Sequence, residues 1–180
     1  MHASTGPLPQ PDHPVKGVAL AGFMGVGKST VGPLVARCLD LPWWDLDHRI
    51  EAVSGRSVAE LFAQEGEGTF RALELHTLRA GVVDGPAVVS LGGGALLDPA
   101  AQEALAQAGF VVVVLHAPWE LVAERIARSD RPLAAEAAHR YEARRQHYAT
   151  VGHPVDTRGR SPQEVADAVV AVCRRTACSR

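Results

Sequence analysis

Val18-Ala19-Leu20-Ala21-Gly22-Phe23-Met24-Gly25-Val26-Gly27-Lys28-Ser29-Thr30 is the stretch on which the architecture of this chain turns. From Gly22 to Ser29 it matches the pattern G-x-x-x-x-G-K-[ST], in which each residue type has a physical task. Glycines let the backbone curl until its N–H groups point inward, a nest for the oxygens of a polyphosphate. Gly25, Val26, Gly27, Lys28, Ser29 and Thr30 are the predicted contacts to such a ligand. Lys28 is placed to reach the β- and γ-phosphates, and the Ser29 hydroxyl to bind Mg²⁺. The helix that starts here adds its positive dipole end to the anion site. The flanks are those the motif requires. Val18–Ala21 is an apolar run suited to a buried parallel strand, and Val31, Leu34, Val35 and Leu39 recur at helical spacing.

Outward from the loop, strand and helix alternate. The first helix runs to about Leu39, and Leu41-Pro42-Trp43-Trp44 opens a short second strand that ends in Asp45-Leu46-Asp47. Short helices are expected from His48 to about Ala52 and from Ser57 to Gln64. A third follows Gly66 and Gly68, from Phe70 to about Ala80. Ala87–Leu91 reads as a buried strand running into Gly92-Gly93-Gly94. A helix near Pro99–Ala106 leads to the most apolar strand, Phe110–Leu115. Pro118 begins a helix reaching Arg128, a charged helix covers about Glu136–Ala149, and Val155–Thr157 is the last strand. An amphipathic helix from about Ser161 to Cys173 closes the chain. This alternation predicts a three-layer α/β/α domain around a parallel sheet, residues 17–174. Residues 1–16, with four prolines, read as a disordered leader, 129–143 as a mobile lid, and 175–180 as a flexible tail.

Composition narrows the function classes. At 180 residues with a formal charge of −2, there is no basic field for nucleic acid and no polybasic membrane patch. No segment has the length of a membrane span, and the N-terminus lacks a signal peptide's apolar core. Cys38, Cys173 and Cys178 have neither metal-type nor C-x-x-C spacing, as expected of reduced thiols in a cytoplasmic protein. The eight histidines show no zinc-type clustering.

Four further groups of residues carry chemistry. Asp45 and Asp47 lie two apart beyond the second strand. If that end stays extended they face opposite ways, one toward a Mg²⁺–nucleotide and one toward an acceptor hydroxyl. A turn at Leu46 changes this, and Asp47 could equally cap a helix starting at His48. The triple glycine after Ser90 lets a substrate approach the backbone at the carboxyl end of a strand, where ligands sit in α/β sheets. Arg71, close to a helix start, either forks onto a carboxylate or pairs with Glu67 or Glu74. Among Arg128, Arg131, Arg140, Arg144 and Arg145, Arg131 differs because Pro132 stiffens the backbone after it, which suits delivery to a phosphate by a closing lid.

In this order the loop, Trp44-Asp45-Leu46-Asp47 with Ile50-Glu51, Phe62 with Gly66-Glu67 and Phe70-Arg71, Ser90 with the glycines, and Arg131-Pro132-Leu133 resemble the shikimate kinases, from about Gly17 to Val172. The resemblance implies an NMP-kinase-like fold with five parallel strands, acting as a monomer. The implied reaction moves the ATP γ-phosphoryl group to the 3-hydroxyl of shikimate. It assigns Lys28 to the phosphates, Ser29 and Asp45 to Mg²⁺, and Asp47 to the substrate hydroxyls as the base. Arg71 and Arg144 clamp the carboxylate, Gly93 gives a backbone contact, and Arg131 closes over the transferring phosphate. Arg125 and Arg160 flank adenine. Arg144 is selected because Tyr148 follows four residues later, with Arg140 and Arg145 as alternatives. The sequence departs from the family at Trp44, where phenylalanine is usual, and in a short lid lacking a second leucine. The rival readings are a gluconate-kinase-like hydroxy-acid kinase and a non-catalytic nucleotide-binding relative.

Overall fold

The computed structural model describes residues 16–127 and 137–178. Residues 1–15 of the expected leader, residues 128–136 with Arg131 and the first part of the expected lid, and residues 179–180 lie outside the described residues. Five strands, β1 (Gly17–Ala21), β2 (Trp43–Asp45), β3 (Ala87–Ser90), β4 (Phe110–His116) and β5 (His153–Asp156), form one sheet in the order β2-β3-β1-β4-β5. All the pairings are parallel. Among the described residues, seven α-helices connect or cover them: α1 (Lys28–Leu39), α2 (Leu46–Ser54), α3 (Val58–Val83), α4 (Pro99–Gln107), α5 (Trp119–Ala127), α6 (Ala137–Tyr148) and α7 (Pro162–Cys178).

Strand alternation divides the apolar side chains between two cores. Val18 and Leu20 of β1 with Val111, Val113 and Leu115 of β4 face α1 and α7. Ala19, Ala21, Phe110 and Val114 point the other way, to Leu46, Ile50, Leu78 and Leu105 of α2, α3 and α4. Every residue of β1 is buried, which explains why it reads as a continuous apolar run rather than an alternating one. Each fully buried valine or leucine contributes about 1.5–3 kcal/mol relative to exposure, so these strands fix the register firmly. The two tryptophans of β2 follow the same rule, Trp43 joining the first core and Trp44 the second.

The helices differ from expectation in three places. The chain turns at Leu46: Asp45 is extended (φ −105°, ψ 130°) and α2 begins one residue later. Asp45 is therefore the N-cap, accepting from the Asp47 N–H at 3.1 Å, and Asp47 sits in the first helical turn instead of capping one. The expected separate helices at 57–64 and 70–80 are joined in α3, which kinks where Gly66 adopts φ 79°, ψ 170°. A capping box at Ser57 and Glu60 starts it. The last helix, α7, continues past Cys173 to Cys178.

Ser90 ends β3 and is fully buried. Its hydroxyl accepts from Trp43 Nε1 at 3.0 Å and donates to the Lys28 carbonyl at 3.2 Å, tying the edge strand to the first turn of α1. Ser90→Ala leaves the indole N–H without this partner and is expected to lower stability by about 1–2 kcal/mol, a fall in Tm of roughly 2–8 °C. A thermal melt unchanged from wild type would show that the hydroxyl bridges nothing of consequence.

Candidate active site

The carboxyl ends of β1, β2 and β3 open into a cleft of about 440 Å³ lined by Gly25, Val26, Gly27, Lys28, Ser29, Thr30, Asp45, Asp47, Gly93, Arg125 and Arg160, among others. The loop after β1 takes left-handed backbone angles at Gly22 (φ 126°), Gly25 (φ 79°) and Gly27 (φ 105°), the last being the N-cap of α1. A side chain at Gly22 would also meet the Leu115 carbonyl. Lys28 Nζ donates to the carbonyls of Gly22 at 2.8 Å and Phe23 at 3.0 Å, so its charge lies across the loop. The Ser29 hydroxyl donates to Asp45 Oδ2 at 2.9 Å. These two residues are hard oxygen donors beside a polyphosphate nest. They suit Mg²⁺, which takes one or two carboxylates and fills its remaining positions with water and phosphate oxygens.

At one end of the cleft lie Arg125, Thr157, Arg160 and Pro162. Arg125 Nη1 donates to Thr157 Oγ1 and to the Gly25 carbonyl, each at 3.4 Å. Two guanidinium groups and a proline around an open slot are well suited to stacking a planar base.

At the other end, Asp47 and Gly93 meet a charge cluster in which Glu74 is buried and Arg71 and Glu67 are not. Arg71 Nη1 donates to Glu74 Oε2 at 2.6 Å and its Nη2 to Glu67 Oε1 at 3.2 Å. Glu74 is 3 % exposed and, with Glu67, takes up the donors of the guanidinium, so the pairing expected of a surface arginine is the one formed here. Arg71 also lies over the rings of Phe62 at 5.7 Å and Phe70 at 5.2 Å. The triple glycine accommodates this cluster. A Cβ on Gly94 would lie 2.6 Å from Arg71 Nη2, and one on Gly92 would collide with Glu74 Oε1 and come within 3.0 Å of Asp47 Oδ1. Arg144 Nη1 and the Tyr148 hydroxyl both donate to the Gly93 carbonyl, at 2.7 and 2.8 Å. That separates the arginines of α6: Arg144 reaches the carbonyl of Gly93 at the edge of the cleft, Arg140 is exposed, and Arg145 pairs with Glu142 at the surface.

Burial shapes the charges here. It pushes the Glu74 carboxyl above its ordinary value, with Asp47 adding to the shift and Arg71 and Arg144 opposing it. It lowers Arg144, and it pushes the Tyr148 hydroxyl up to about 12, so that group remains a donor to Gly93. Sequence reasoning did not assign Glu74 or Tyr148 a part in the site. Glu74 carried a signal in its i, i+3 spacing from Arg71, and Tyr148 in its spacing from Arg144. Thr157 carried none.

Because the folded state holds the Glu74 proton to higher pH than the unfolded chain, this group's contribution to stability is full at low pH. It is lost as pH rises above the ordinary carboxyl range. Urea midpoints measured against pH should therefore fall more steeply across that interval in wild type than in Glu74→Gln. Parallel profiles would assign the dependence to other groups.

A family model described as shikimate kinase matches residues 24–174. The shikimate kinase of Streptomyces avermitilis is 41% identical over 160 residues, covering 85% of this chain and 92% of that protein. The structure of shikimate kinase from Acinetobacter baumannii in complex with shikimate superimposes with a TM-score of 0.82 at 28% identity, covering 90% of this chain and 94% of the other. A gluconokinase from Sinorhizobium meliloti aligns with a TM-score of 0.69 at 20% identity, a likeness of fold alone. Chain-wide identity and the ordered cleft residues agree, and this chain belongs to the shikimate kinase family.

Proposed function

We propose that this protein transfers the γ-phosphoryl group of ATP to the 3-hydroxyl of shikimate. The observation that carries this reading is one continuous cleft in which a phosphate loop, Asp45 and Asp47 are followed by Gly93, with Arg144 bonded to it. A nucleotide fits the first part, and a hydroxylated carboxylate beside two arginines fits the second.

In this mechanism the loop N–H groups and Lys28 hold the β- and γ-phosphates, and Arg125 and Arg160 flank the base. Ser29 and Asp45 would hold Mg²⁺, which would neutralise charge on the phosphate oxygens. Arg71, fixed by Glu74, and Arg144 grip the acceptor carboxylate, while Gly93 contacts its ring hydroxyls. Asp47 accepts a hydrogen bond from the 3-hydroxyl and aims its oxygen at the terminal phosphorus. The new O–P bond forms as the bond from that phosphorus to the β-bridging oxygen breaks, and the hydroxyl proton passes to the Asp47 carboxylate. Phosphoryl transfer requires alignment and charge neutralisation more than covalent help, which is what this set of residues supplies. Arg131 belongs to the same reading as the cation delivered by the lid, residues about 129–143. The enzyme is read as a cytoplasmic monomer. No helix among the described residues is long and apolar enough to cross a membrane.

Asp47→Asn is expected to retain ATP affinity and lose at least about 100-fold in kcat, the usual range for a positioned acid or base. Near-wild-type turnover would remove Asp47 from proton transfer. With MgATP, ADP release should depend on shikimate and not on gluconate. Gluconate-dependent release would favour the hydroxy-acid kinase, and ATP binding with no acceptor-dependent release would favour a binding relative.

A further inference from the structure

Phe23 is the second residue of the phosphate loop, a position whose side chain the loop pattern leaves open. Its carbonyl accepts from Lys28 Nζ at 3.0 Å. Its ring is 3 % exposed and packs against helices on both sides of the 128–136 stretch. The Trp119 ring of α5 lies 6.4 Å away at 73° and the Tyr141 ring of α6 5.4 Å away at 87°, both edge-to-face. The Arg144 guanidinium carbon lies 5.7 Å from the Phe23 ring centroid. One residue thus touches the nucleotide lysine through its main chain and the acceptor arginine through its side chain.

We propose that Phe23 is a positioning residue for Arg144 and couples the two halves of the cleft, so that nucleotide on the loop raises affinity for the acceptor carboxylate. The inference rests on the reading of Arg144 as part of the carboxylate clamp. Redirecting the Lys28 ammonium toward a phosphate changes the pull on the Phe23 peptide, and the ring follows its peptide. A close-packed ring cannot shift without its neighbours, and a cation over an aromatic face tracks that face most closely where water is excluded. Arg144 has a second anchor in the Gly93 carbonyl at 2.7 Å. The guanidinium is therefore held between the loop after β1 and the loop after β3, where movement of either alters its aim. Tyr141 steadies the other side of the ring, its hydroxyl donating to the Ala117 carbonyl at 2.5 Å.

The test is calorimetric titration of the full chain with shikimate, in the presence and absence of Mg²⁺ and a non-hydrolysable ATP analogue. Wild type is expected to bind shikimate at least about 5-fold more tightly with the analogue present. In Phe23→Leu that ratio should fall to within about 2-fold of unity while analogue affinity is retained. If the leucine variant does not fold, Phe23→Met fills the space with a flexible apolar chain and tests the same point. Arg71→Ala should weaken shikimate binding yet keep the ratio, because it leaves the Phe23–Arg144 contact in place. A ratio of one in wild type, or an undiminished ratio in the Phe23 variant, overturns the coupling while leaving the kinase reading intact. Absence of shikimate binding to wild type under both conditions overturns both.

Discussion

Parallel pairing of β1 with β3 on one side and β4 on the other is the constraint from which the rest of this structure follows. Because the strands run the same way, their carboxyl ends share one edge, and the loops leaving them must converge there. The phosphate loop after β1, Asp45 at the end of β2 and the glycines after Ser90 are neighbours for that reason alone. Burial of all of β1 holds the register, and one residue of slippage would exchange the side chains of its two cores.

On this edge, charge is organised by burial. Glu74 is unusual in being an acid almost wholly removed from water, and it is tolerable because Arg71 lies 2.6 Å away. Losing either member would leave the other uncompensated, so the pair is better understood as a device for holding a guanidinium still than as a source of stability. The glycines opposite are the steric counterpart of the same device, since side chains at Gly92 and Gly94 would displace it. Arg144 is anchored differently, by a carbonyl and an aromatic face.

Particular elements show where the sequence was legible. The loop, α1 ending at Leu39 and the buried strands β1, β3 and β4 are local patterns, and each formed as its spacing required. Misplaced elements came from competition between local signals. Asp45 and Asp47 are both good caps, and the choice fell to Asp45 because pairing with β3 keeps that residue extended. Gly66 breaks helical angles, yet α3 continues beyond it because Leu61, Phe70 and Leu78 on either side share one core.

The sequence alone determined that a polyphosphate nest follows a buried strand, that acids and arginines of a kinase stand in family order, and that the domain is α/β. These depend on neighbours in the chain, on backbone freedom and on periodicity. Only the tertiary structure decided which of three arginines on α6 reaches the Gly93 carbonyl, that Glu74 pairs with Arg71, and that Phe23 lies between Lys28 and Arg144. Those relations span residues far apart in sequence, and their distances exist only after the sheet has brought its strand ends together.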